Sequence, residues 1–302
     1  MPLVMVFIDG LGLGSSDPAQ NPLTMATMPC IRNILGGEPL TAKTVGEGAA
    51  RKGLVVRPTD ACLGVDGIPQ SATGQTVIFT GVNAAQAAGR HINGFPTRAL
   101  REFLKQYSLF KILNRYGFRA VFANIFTKEY FDAVSRGRWR HSVTTTAALA
   151  GDCRLFMLPD LEAGRGVFQD ITNQILRERG YEAPLLQAEE AARNLAQTAA
   201  EYDFTLFEYF QTDHCGHKQD PEWAGRILNL LDRFLGALIP DLARRGLDLL
   251  VVSDHGNIED LSVKTHTRNR VPTIAIGERA AEFQQIQSLM DIYPAVLRYF
   301  KI

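Results

Sequence analysis

The sequence predicts an α/β protein built on a mostly parallel sheet. Short apolar runs alternate with helical patterns along most of the chain, which is typical of this class. Three of these runs are almost continuously apolar, as expected for strands that are buried on both faces of a parallel sheet. Each of the three is closely followed by Asp or His, and the runs are Leu3–Ile8, Phe204–Phe210 and Leu249–Ser253.

Further apolar runs are strand candidates, and one of them contains a proline. In chain order they are Leu54–Val56, Arg119–Ala123, Leu155–Leu158 and Val271–Ile276. Because Pro272 has no backbone N–H, we expect the last strand to start at a sheet edge or to begin only after the proline.

Helical signals are strongest in the second half of the chain. The clearest helix begins at Asp220-Pro221-Glu222, where an N-cap acid, a first-turn proline and a first-turn glutamate coincide. Its apolar residues recur at helical spacing until Gly246, which is a natural stop. Ala188–Tyr202 predicts another helix, and Arg101–Tyr116 predicts one or two more.

Length and composition indicate a globular protein with no charge bias. The 302 residues are 46% hydrophobic and 21% charged, which suits one large α/β domain over residues 1–302. Lys plus Arg equals Asp plus Glu at 32 each, so we expect neither a nucleic-acid nor a membrane partner. No apolar run is long enough to span a membrane. The four cysteines show no pairing pattern and the N-terminus shows no signal peptide, so we expect a cytoplasmic protein.

Residues 135–184 form the least regular stretch of the sequence. They carry the basic cluster Arg136, Arg138 and Arg140, which is either a solvated face or a substrate contact. We expect a small insertion over the functional site here, because no linker-like composition marks an independent domain.

Asp and His residues in separated segments carry the functional signal. Ligand groups in α/β sheets gather just beyond the carboxyl ends of the strands, so these side chains are expected to meet there. Carboxylates and imidazoles together favour divalent metal, and six ligands suit two ions better than one. Two-metal sites are built for in-line displacement at phosphorus. The six residues are Asp9, Asp213, His217, Asp254, His255 and His266.

The motifs around these residues resemble the alkaline phosphatase superfamily, and within it the branch of cofactor-independent phosphoglycerate mutase and phosphopentomutase. Ser71–Gly81 resembles the superfamily's nucleophile helix, in which a Ser or Thr lies ten residues before the Gly that ends the helix. Ser288–Pro294 resembles its closing helix. The other matching motifs are Asp9-Gly10, D-x-x-G-H at 213–217, S-D-H-G-N at 253–257 and H-T-x-N-x-V-P at 266–272.

The resemblance implies a three-layer α/β/α sandwich with a mostly parallel central sheet, and a ligand set for two divalent ions. One ion would be held by Asp213, His217 and His266. The other would be held by Asp9, Asp254 and His255, with Ser71 bridging to it as the nucleophile. Zinc and manganese suit such ligands, and magnesium is a third candidate.

The implied function is a two-metal phosphoryl-transfer enzyme, most simply a phosphatase that acts on a small phosphorylated metabolite through a phosphoserine. A phosphomutase of the phosphoglycerate mutase type, a phosphodiesterase and a catalytically silent metal-binding protein are the alternatives. Only 141 residues separate Ser71 from Asp213, which leaves no room for the second domain of the full mutase. Sulfatases of the superfamily have Pro and Arg where this chain has Thr73 and Gln75, and the mutase has His at the latter position.

Several nearby residues have competing interpretations. Thr73 and Thr76 compete with Ser71 as nucleophile, and any of the three could be an ordinary helix cap. His214 is a weaker ligand candidate than His217. Cys215 is expected to be a small buried residue.

Two further groups of residues are candidates for secondary roles. Asn257 and Glu259 are expected to support the ligands or shape a turn. The polar loop after the nucleophile helix offers Arg90, His91 and Asn93 as contacts for substrate phosphate, with a solvated loop as the alternative.

Overall fold

The computed structural model describes residues 1–302 and centres on one eight-stranded sheet. The strands are β1 (Leu3–Ile8), β2 (Ala49–Arg51), β3 (Leu54–Thr59), β4 (Ala120–Phe126), β5 (Leu155–Met157), β6 (Phe204–Tyr209), β7 (Asp248–Val252) and β8 (Val271–Ile276). Their order across the sheet is β2-β3-β8-β7-β1-β6-β4-β5. The five strands from β7 to β5 are parallel, whereas β2, β3 and β8 join through antiparallel ladders. The predicted α/β class with a mostly parallel sheet is confirmed.

Helices follow most strands and cover the sheet. They are α1 (Pro22–Met25), α2 (Pro29–Ile34), α3 (Ala42–Val45), α4 (Ser71–Thr80), α5 (Ala84–Ala88), α6 (Arg98–Tyr107), α7 (Leu109–Arg115), α8 (Lys128–Ser135), α9 (Val143–Ala150), α10 (Leu158–Glu162), α11 (Gln174–Glu178), α12 (Ala188–Ala199), α13 (Gln211–Lys218), α14 (Pro221–Arg244) and α15 (Ile292–Tyr299). Short 3₁₀ turns occupy Ala280–Phe283 and Leu289–Asp291. The Asp220 carboxylate caps α14 by accepting a 2.8 Å hydrogen bond from the Trp223 N–H, as its sequence predicts.

The sheet is buried on both faces, which explains why its strands are continuously apolar. Along β1, Leu3, Met5 and Phe7 enter one hydrophobic cluster, and the alternate residues enter another. The first cluster includes side chains of α4, α6, α7, α9 and α15, and the second includes those of α12 and α14. The two clusters contain 38 and 37 buried residues, so neither layer is subsidiary and the arrangement is α/β/α.

The expectation for Pro272 was wrong. Strand β8 begins at Val271 and lies in the interior of the sheet between β3 and β7. On one side Pro272 is opposite Pro58 of β3. On the other side β7 pairs with β8 only from Ile274 onward. The missing N–H therefore falls where neither neighbouring strand needs it.

Residues 135–184 contribute to both the sheet and the surface. Helix α9 buries Val143, Ala147 and Ala148 in the first hydrophobic cluster, and β5 forms the edge of the sheet beside β4. The remainder packs in a small separate cluster that includes Phe156 and Phe168. The interpretation of this stretch as an insertion stays a prediction. No helix of the structure is both long enough and apolar enough to cross a membrane.

Candidate active site

Three adjacent parallel strands bring the predicted ligand residues to one edge of the sheet. Asp9 directly follows β1, and Asp213 lies on α13 just after β6. Asp254 and His255 follow β7, and His266 lies on the loop that leads to β8. Because β7, β1 and β6 are neighbours, their carboxyl ends are adjacent, and the separated motifs converge. We call the six side chains the ligand cluster; its members are Asp9, Asp213, His217, Asp254, His255 and His266.

Asp213, His217 and His266 form one half of the ligand cluster. The His266 Nε2 atom lies 3.3 Å from Asp213 Oδ1 and 3.1 Å from His217 Nε2. Each Nδ1 lies within hydrogen-bond distance of a backbone carbonyl, 2.8 Å from Lys264 for His217 and 3.0 Å from Pro69 for His266. Donation from Nδ1 to these carbonyls fixes the rings so that their Nε2 lone pairs face each other, an arrangement that a cation stabilises.

The other half surrounds Ser71 and His255. The His255 Nε2 atom lies 2.9 Å from Ser71 Oγ, 3.3 Å from Asp9 Oδ1 and 3.5 Å from Asp254 Oδ2. Asp9 Oδ1 is buried and makes no hydrogen bond. A buried carboxylate oxygen without a partner is costly, which suits a metal ligand.

The two halves share Asp213, which the sequence analysis assigned to one ion alone. Ligand atoms of Asp213, His217 and His266 all lie within 4.8 Å of one another, and so do those of Asp9, Asp213 and His255. Asp254 lies beside the second set, through its contact with His255. The rings of His255 and His266 stack with centroids 3.7 Å apart, which holds the two halves together.

Burial and crowding of like charges shift the pKa values of the ligand cluster. Burial and the charges of Asp254 and Asp213 raise the pKa of Asp9 well above its usual value. Burial and the Asp213 charge raise the pKa of Asp254 to about 7. Burial and the nearby His266 lower the pKa of His255 to about 3. Burial alone would raise the pKa of Asp213, but the hydrogen bond with His266 and the neighbouring imidazoles hold it well below its usual value. Divalent cations would relieve this crowding of carboxylates.

Gln75 has a role that the sequence analysis did not assign. Its side-chain amide donates to Asp9 Oδ2 at 3.2 Å and to Asp254 Oδ2 at 3.1 Å. One NH₂ group therefore bridges two carboxylates from different strands. The signal was present in the sequence, because Gln75 lies four residues after Ser71 and so on the same face of α4.

Glu259 connects the loops that carry the ligands. Its buried carboxylate accepts hydrogen bonds from the Gly12 N–H at 3.0 Å, the Asn257 N–H at 2.7 Å and the Thr267 hydroxyl at 2.5 Å. A Cβ atom at Gly12 would clash with the Glu259 carboxylate, so only glycine fits there. Asn257 also donates to Asp213 Oδ1 at 2.7 Å. Both residues support the ligands, in line with their predicted secondary role.

Ser71 is the hydroxyl of α4 that reaches the ligand cluster. It begins the helix and lines the neighbouring cavity. The Thr73 hydroxyl instead donates to the Gln70 carbonyl at 3.1 Å, and the Thr76 hydroxyl donates to the Ala72 carbonyl at 2.6 Å. Both threonines are fully buried within the helix packing. The geometry therefore favours Ser71 over its two competitors as the nucleophile.

A cavity of about 630 Å³ opens beside Ser71, Asp9 and Asp213. Of the three loop residues proposed as substrate contacts, only Asn93 lines it. Arg90 is exposed elsewhere, and His91 Nε2 lies 3.3 Å from a backbone carbonyl, so neither is brought to the cavity.

The remaining candidates divide between the cavity wall and the surrounding structure. His214 lines the cavity without joining the ligand cluster, and its ring packs edge-on against Phe210. Arg138 and Arg140 line the cavity, whereas Arg136 does not. Cys215 is fully buried, as predicted.

Comparison with known proteins supports the family resemblance. Residues 172–302 match the family described as the Metalloenzyme superfamily. The 2,3-bisphosphoglycerate-independent phosphoglycerate mutase of Thiobacillus denitrificans is 32% identical over 124 residues, covering 38% of this chain and 24% of that protein. The same enzyme of Pseudomonas fluorescens is 31% identical over 104 residues, covering 32% and 20%. The match thus spans about a quarter of the length of these relatives.

Solved structures share the fold over the whole chain. The PH0037 protein from Pyrococcus horikoshii superimposes with a TM-score of 0.59 at 14% identity, covering 98% of this chain and 96% of that one. A cold-active alkaline phosphatase from Shewanella superimposes with a TM-score of 0.57 at 11% identity, and both chains are covered completely. The predicted alkaline-phosphatase-like fold is confirmed, and at these identities the likeness extends to the fold alone.

Proposed function

We propose that this chain, which has an alkaline-phosphatase-like fold and matches the Metalloenzyme superfamily over residues 172–302, is a two-metal phosphoryl-transfer enzyme. The reaction that the site supports best is hydrolysis of a small phosphomonoester through a phosphoserine at Ser71. One observation carries the proposal: the Ser71 hydroxyl lies 2.9 Å from His255 Nε2, between the ligand cluster and the cavity.

The ligand cluster fits two divalent cations. The facing Nε2 atoms of His217 and His266 and the unpartnered Oδ1 of Asp9 are the features that support this fit. Bound ions would supply Lewis-acid stabilisation of the phosphoryl oxygens and would lower the pKa of a coordinated hydroxyl. The mixed oxygen and nitrogen donors suit zinc or manganese, with magnesium as a third candidate.

The first turn of α4 would bind the phosphoryl group. Ser71 opens this ten-residue helix, and Gln70 in front of it makes no side-chain capping hydrogen bond. The backbone N–H groups of Ser71 and Ala72 make no hydrogen bond within the protein and are available to an anion, whereas the Thr73 N–H donates to the Ile92 carbonyl at 3.3 Å. The helix dipole favours negative charge at the same place. Gln75 keeps Asp9 and Asp254 in position one turn further along.

The covalent steps conserve atoms and protons. In the first, a bond forms between Ser71 Oγ and phosphorus as the ester P–O bond breaks, and the hydroxyl proton ends on the departing alcohol. In the second, a water oxygen bonds to phosphorus while the Oγ–P bond breaks. Ser71 regains a proton, and inorganic phosphate leaves.

The phosphomutase is the second candidate, because the curated relatives are phosphoglycerate mutases. A mutase would return the phosphoryl group from Ser71 to another hydroxyl of the same substrate. Product analysis separates the candidates, since a phosphatase releases free phosphate and a mutase yields an isomeric ester. A phosphodiesterase would instead cleave diesters in the same assay.

The direct test is a screen of phosphate esters and sugar phosphates with Zn²⁺, Mn²⁺ and Mg²⁺, with phosphate release and isomer formation both measured. An acid quench during turnover, followed by intact-protein mass spectrometry and peptide mapping, should place one phosphate on Ser71. No turnover with any metal would favour a silent metal-binding protein.

We propose that residues 1–302 act as one domain on a small phosphorylated substrate, without nucleic-acid or membrane partners. A cytoplasmic location is supported by four cysteines that are all free of disulfides.

A further inference from the structure

The cavity has an aromatic wall that the proposed chemistry at Ser71 does not use. Rings within this wall pack near one another: Tyr130 lies 5.2 Å from Phe126 and 6.0 Å from Trp139, between ring centroids. A purely polar substrate would leave the exposed surface of Phe95 and Trp139 without an apolar partner. The wall consists of six aromatic side chains, Phe95, Phe122, Phe126, Tyr130, Trp139 and Phe168, whereas Phe210 lines the cavity beside His214.

Two of these rings are half exposed at the rim of the cavity. Phe95 and Trp139 each retain 49% exposure. An exposed aromatic residue beside a concave pocket is the typical anchor for a ligand, because burying its surface drives binding.

Three arginines line the same cavity without an anionic partner. Arg138, Arg140 and Arg179 form no ion pair or side-chain hydrogen bond within the protein. Other arginines, such as Arg165 and Arg233, pair with glutamates at 3.0 and 2.9 Å. Unpaired guanidinium groups that converge on one cavity are suited to bind carboxylate or phosphate oxygens.

We propose that this region, the aromatic subsite, binds the alcohol part of the substrate, and that this part is an aromatic group bearing a second anionic group. The subsite comprises the six aromatic residues named above with Arg138, Arg140 and Arg179. The inference rests on the proposed function, since Ser71 fixes the end of the cavity at which the transferred phosphate lies. The rings would stack on the aromatic group, and the guanidinium groups would bind the second anion.

Four phosphate esters test the two features separately. Benzyl phosphate, 4-carboxybenzyl phosphate, glycerol phosphate and phosphoglycerate combine an aromatic or aliphatic group with or without a carboxylate. All four release an aliphatic alcohol, so the leaving groups are comparable. The carboxybenzyl ester should be turned over with a catalytic efficiency, kcat/KM, at least about tenfold above that of each other ester. A preference for phosphoglycerate, or equal rates on all four, would overturn the proposal.

Variants assign each feature to its residues. Trp139→Ala should lower the catalytic efficiency on both benzyl esters by about tenfold relative to that on glycerol phosphate. The double change Arg138→Ala with Arg140→Ala should lower the efficiency on the two esters that carry a carboxylate, by roughly tenfold for the carboxybenzyl ester, relative to the two that do not. Arg136→Ala is the matched control, because it lies in the same segment outside the cavity. If the arginine variant lost as much catalytic efficiency on benzyl phosphate as on the carboxybenzyl ester, the arginines would contact the transferred phosphate. That result would contradict their assignment to a second anionic group.

Binding measured without turnover separates this inference from the proposed function. The chain has two tryptophans, so Trp223→Phe leaves Trp139 as the sole tryptophan reporter. Titration with 4-carboxybenzylphosphonate should quench its emission at lower concentrations than titration with a propylphosphonate. Selective binding of the aromatic phosphonate without turnover of any ester would contradict the proposed phosphatase activity and support the aromatic subsite. Turnover with no preference for aromatic esters, and with no effect of Trp139→Ala on catalytic efficiency, would support the phosphatase activity and contradict the aromatic subsite.

Discussion

At one end of the cavity most of the polar side chains are buried and several are hydrogen-bonded to one another, whereas at the other end the arginine side chains are exposed and unpaired. The ligand cluster is held by Gln75, Asn257 and Glu259, each of which connects two or more segments. The rings of the aromatic subsite pack near one another, but its arginines form no ion pair. The two ends share a cavity and differ in how firmly hydrogen bonds within the protein hold their polar side chains.

This difference indicates that one end of the cavity carries out the reaction and the other end selects the substrate. Groups that stabilise a transition state are most effective when they are fixed before the substrate arrives, and buried hydrogen bonds fix them. Groups that select a substrate must desolvate on binding, so an exposed ring or guanidinium is better placed there. Changes at the ligand cluster should therefore reduce turnover on every substrate, while changes at the aromatic subsite should depend on the substrate.

The largest effect is expected from Ser71→Ala. Removing the nucleophile should lower kcat by about a thousandfold or more on every ester and abolish the phosphoenzyme, with residual hydrolysis by direct water attack. Metal content should be retained, because the six side chains of the ligand cluster remain, and the melting temperature should change little, because the substitution removes only the hydrogen bond with His255. Thr73→Val is the control and should retain most activity. Near-full activity of Ser71→Ala, or phosphate mapped to Thr73 or Thr76, would contradict the assignment.

Ligand substitutions should rank next. His217→Ala and Asp254→Ala, which affect different halves of the ligand cluster, should each reduce turnover by at least ~100-fold on all substrates. His214→Ala should have a much smaller effect, since its ring lines the cavity outside the cluster. Steady-state kinetics with metal analysis on each variant would check this. Inactivation by His214→Ala with an active His217→Ala would show that the ligand was misassigned.

The same contrast explains what could be predicted from the sequence. Strand β1 is marked by continuous apolarity and by Asp9 at its end, so both the sheet and the ligand position could be predicted locally. Pro272 led to a wrong prediction of where β8 lies and begins. The effect of its missing N–H depends on the register of β8 with β3 and β7, and this register is set by long-range pairing.

The aromatic subsite had no local signature. Phe95, Trp139 and Phe168 lie far apart in the sequence, and only the packing of α8 and α9 with the loops around them gathers these rings. Arg138 and Arg136 are equivalent as sequence, although only one of them lines the cavity. Gln75 stands out in the sequence as a departure from the family motif, but its double hydrogen bond depends on the positions of both carboxylates.

Metal removal should destabilise the ligand cluster but spare the aromatic subsite. Ions bound at about a hundred times their dissociation constant contribute ~2.7 kcal/mol to folding, so chelation should lower the melting temperature by several degrees. The repulsion among Asp9, Asp213 and Asp254 acts in the same direction. Quenching of Trp139 emission by benzylphosphonate should weaken without disappearing. An unchanged melting curve after verified metal removal would contradict the two-metal hypothesis.

The smallest effect concerns Glu208, a buried carboxyl on β6 that lines the cavity between the two ends. Burial raises its pKa from 4.5 to about 7, although the Thr144 hydroxyl, which donates to Oε2 at 2.7 Å, partly opposes the shift. A carboxyl whose pKa is higher in the folded state stabilises the fold below pH ~4.5 and loses that contribution as the pH rises through 7.

Glu208→Gln keeps an acceptor for Thr144 and removes the titration. In metal-free protein, the variant should match the wild type at pH 5 and be more stable by about 1 kcal/mol at pH 8, less than the full shift because water in the cavity screens the charge. Urea unfolding across this pH range measures the difference. A stability difference that stays constant from pH 5 to pH 8 would mean that Glu208 is already ionised in the fold. The protein would then stabilise the ionised form of this carboxyl.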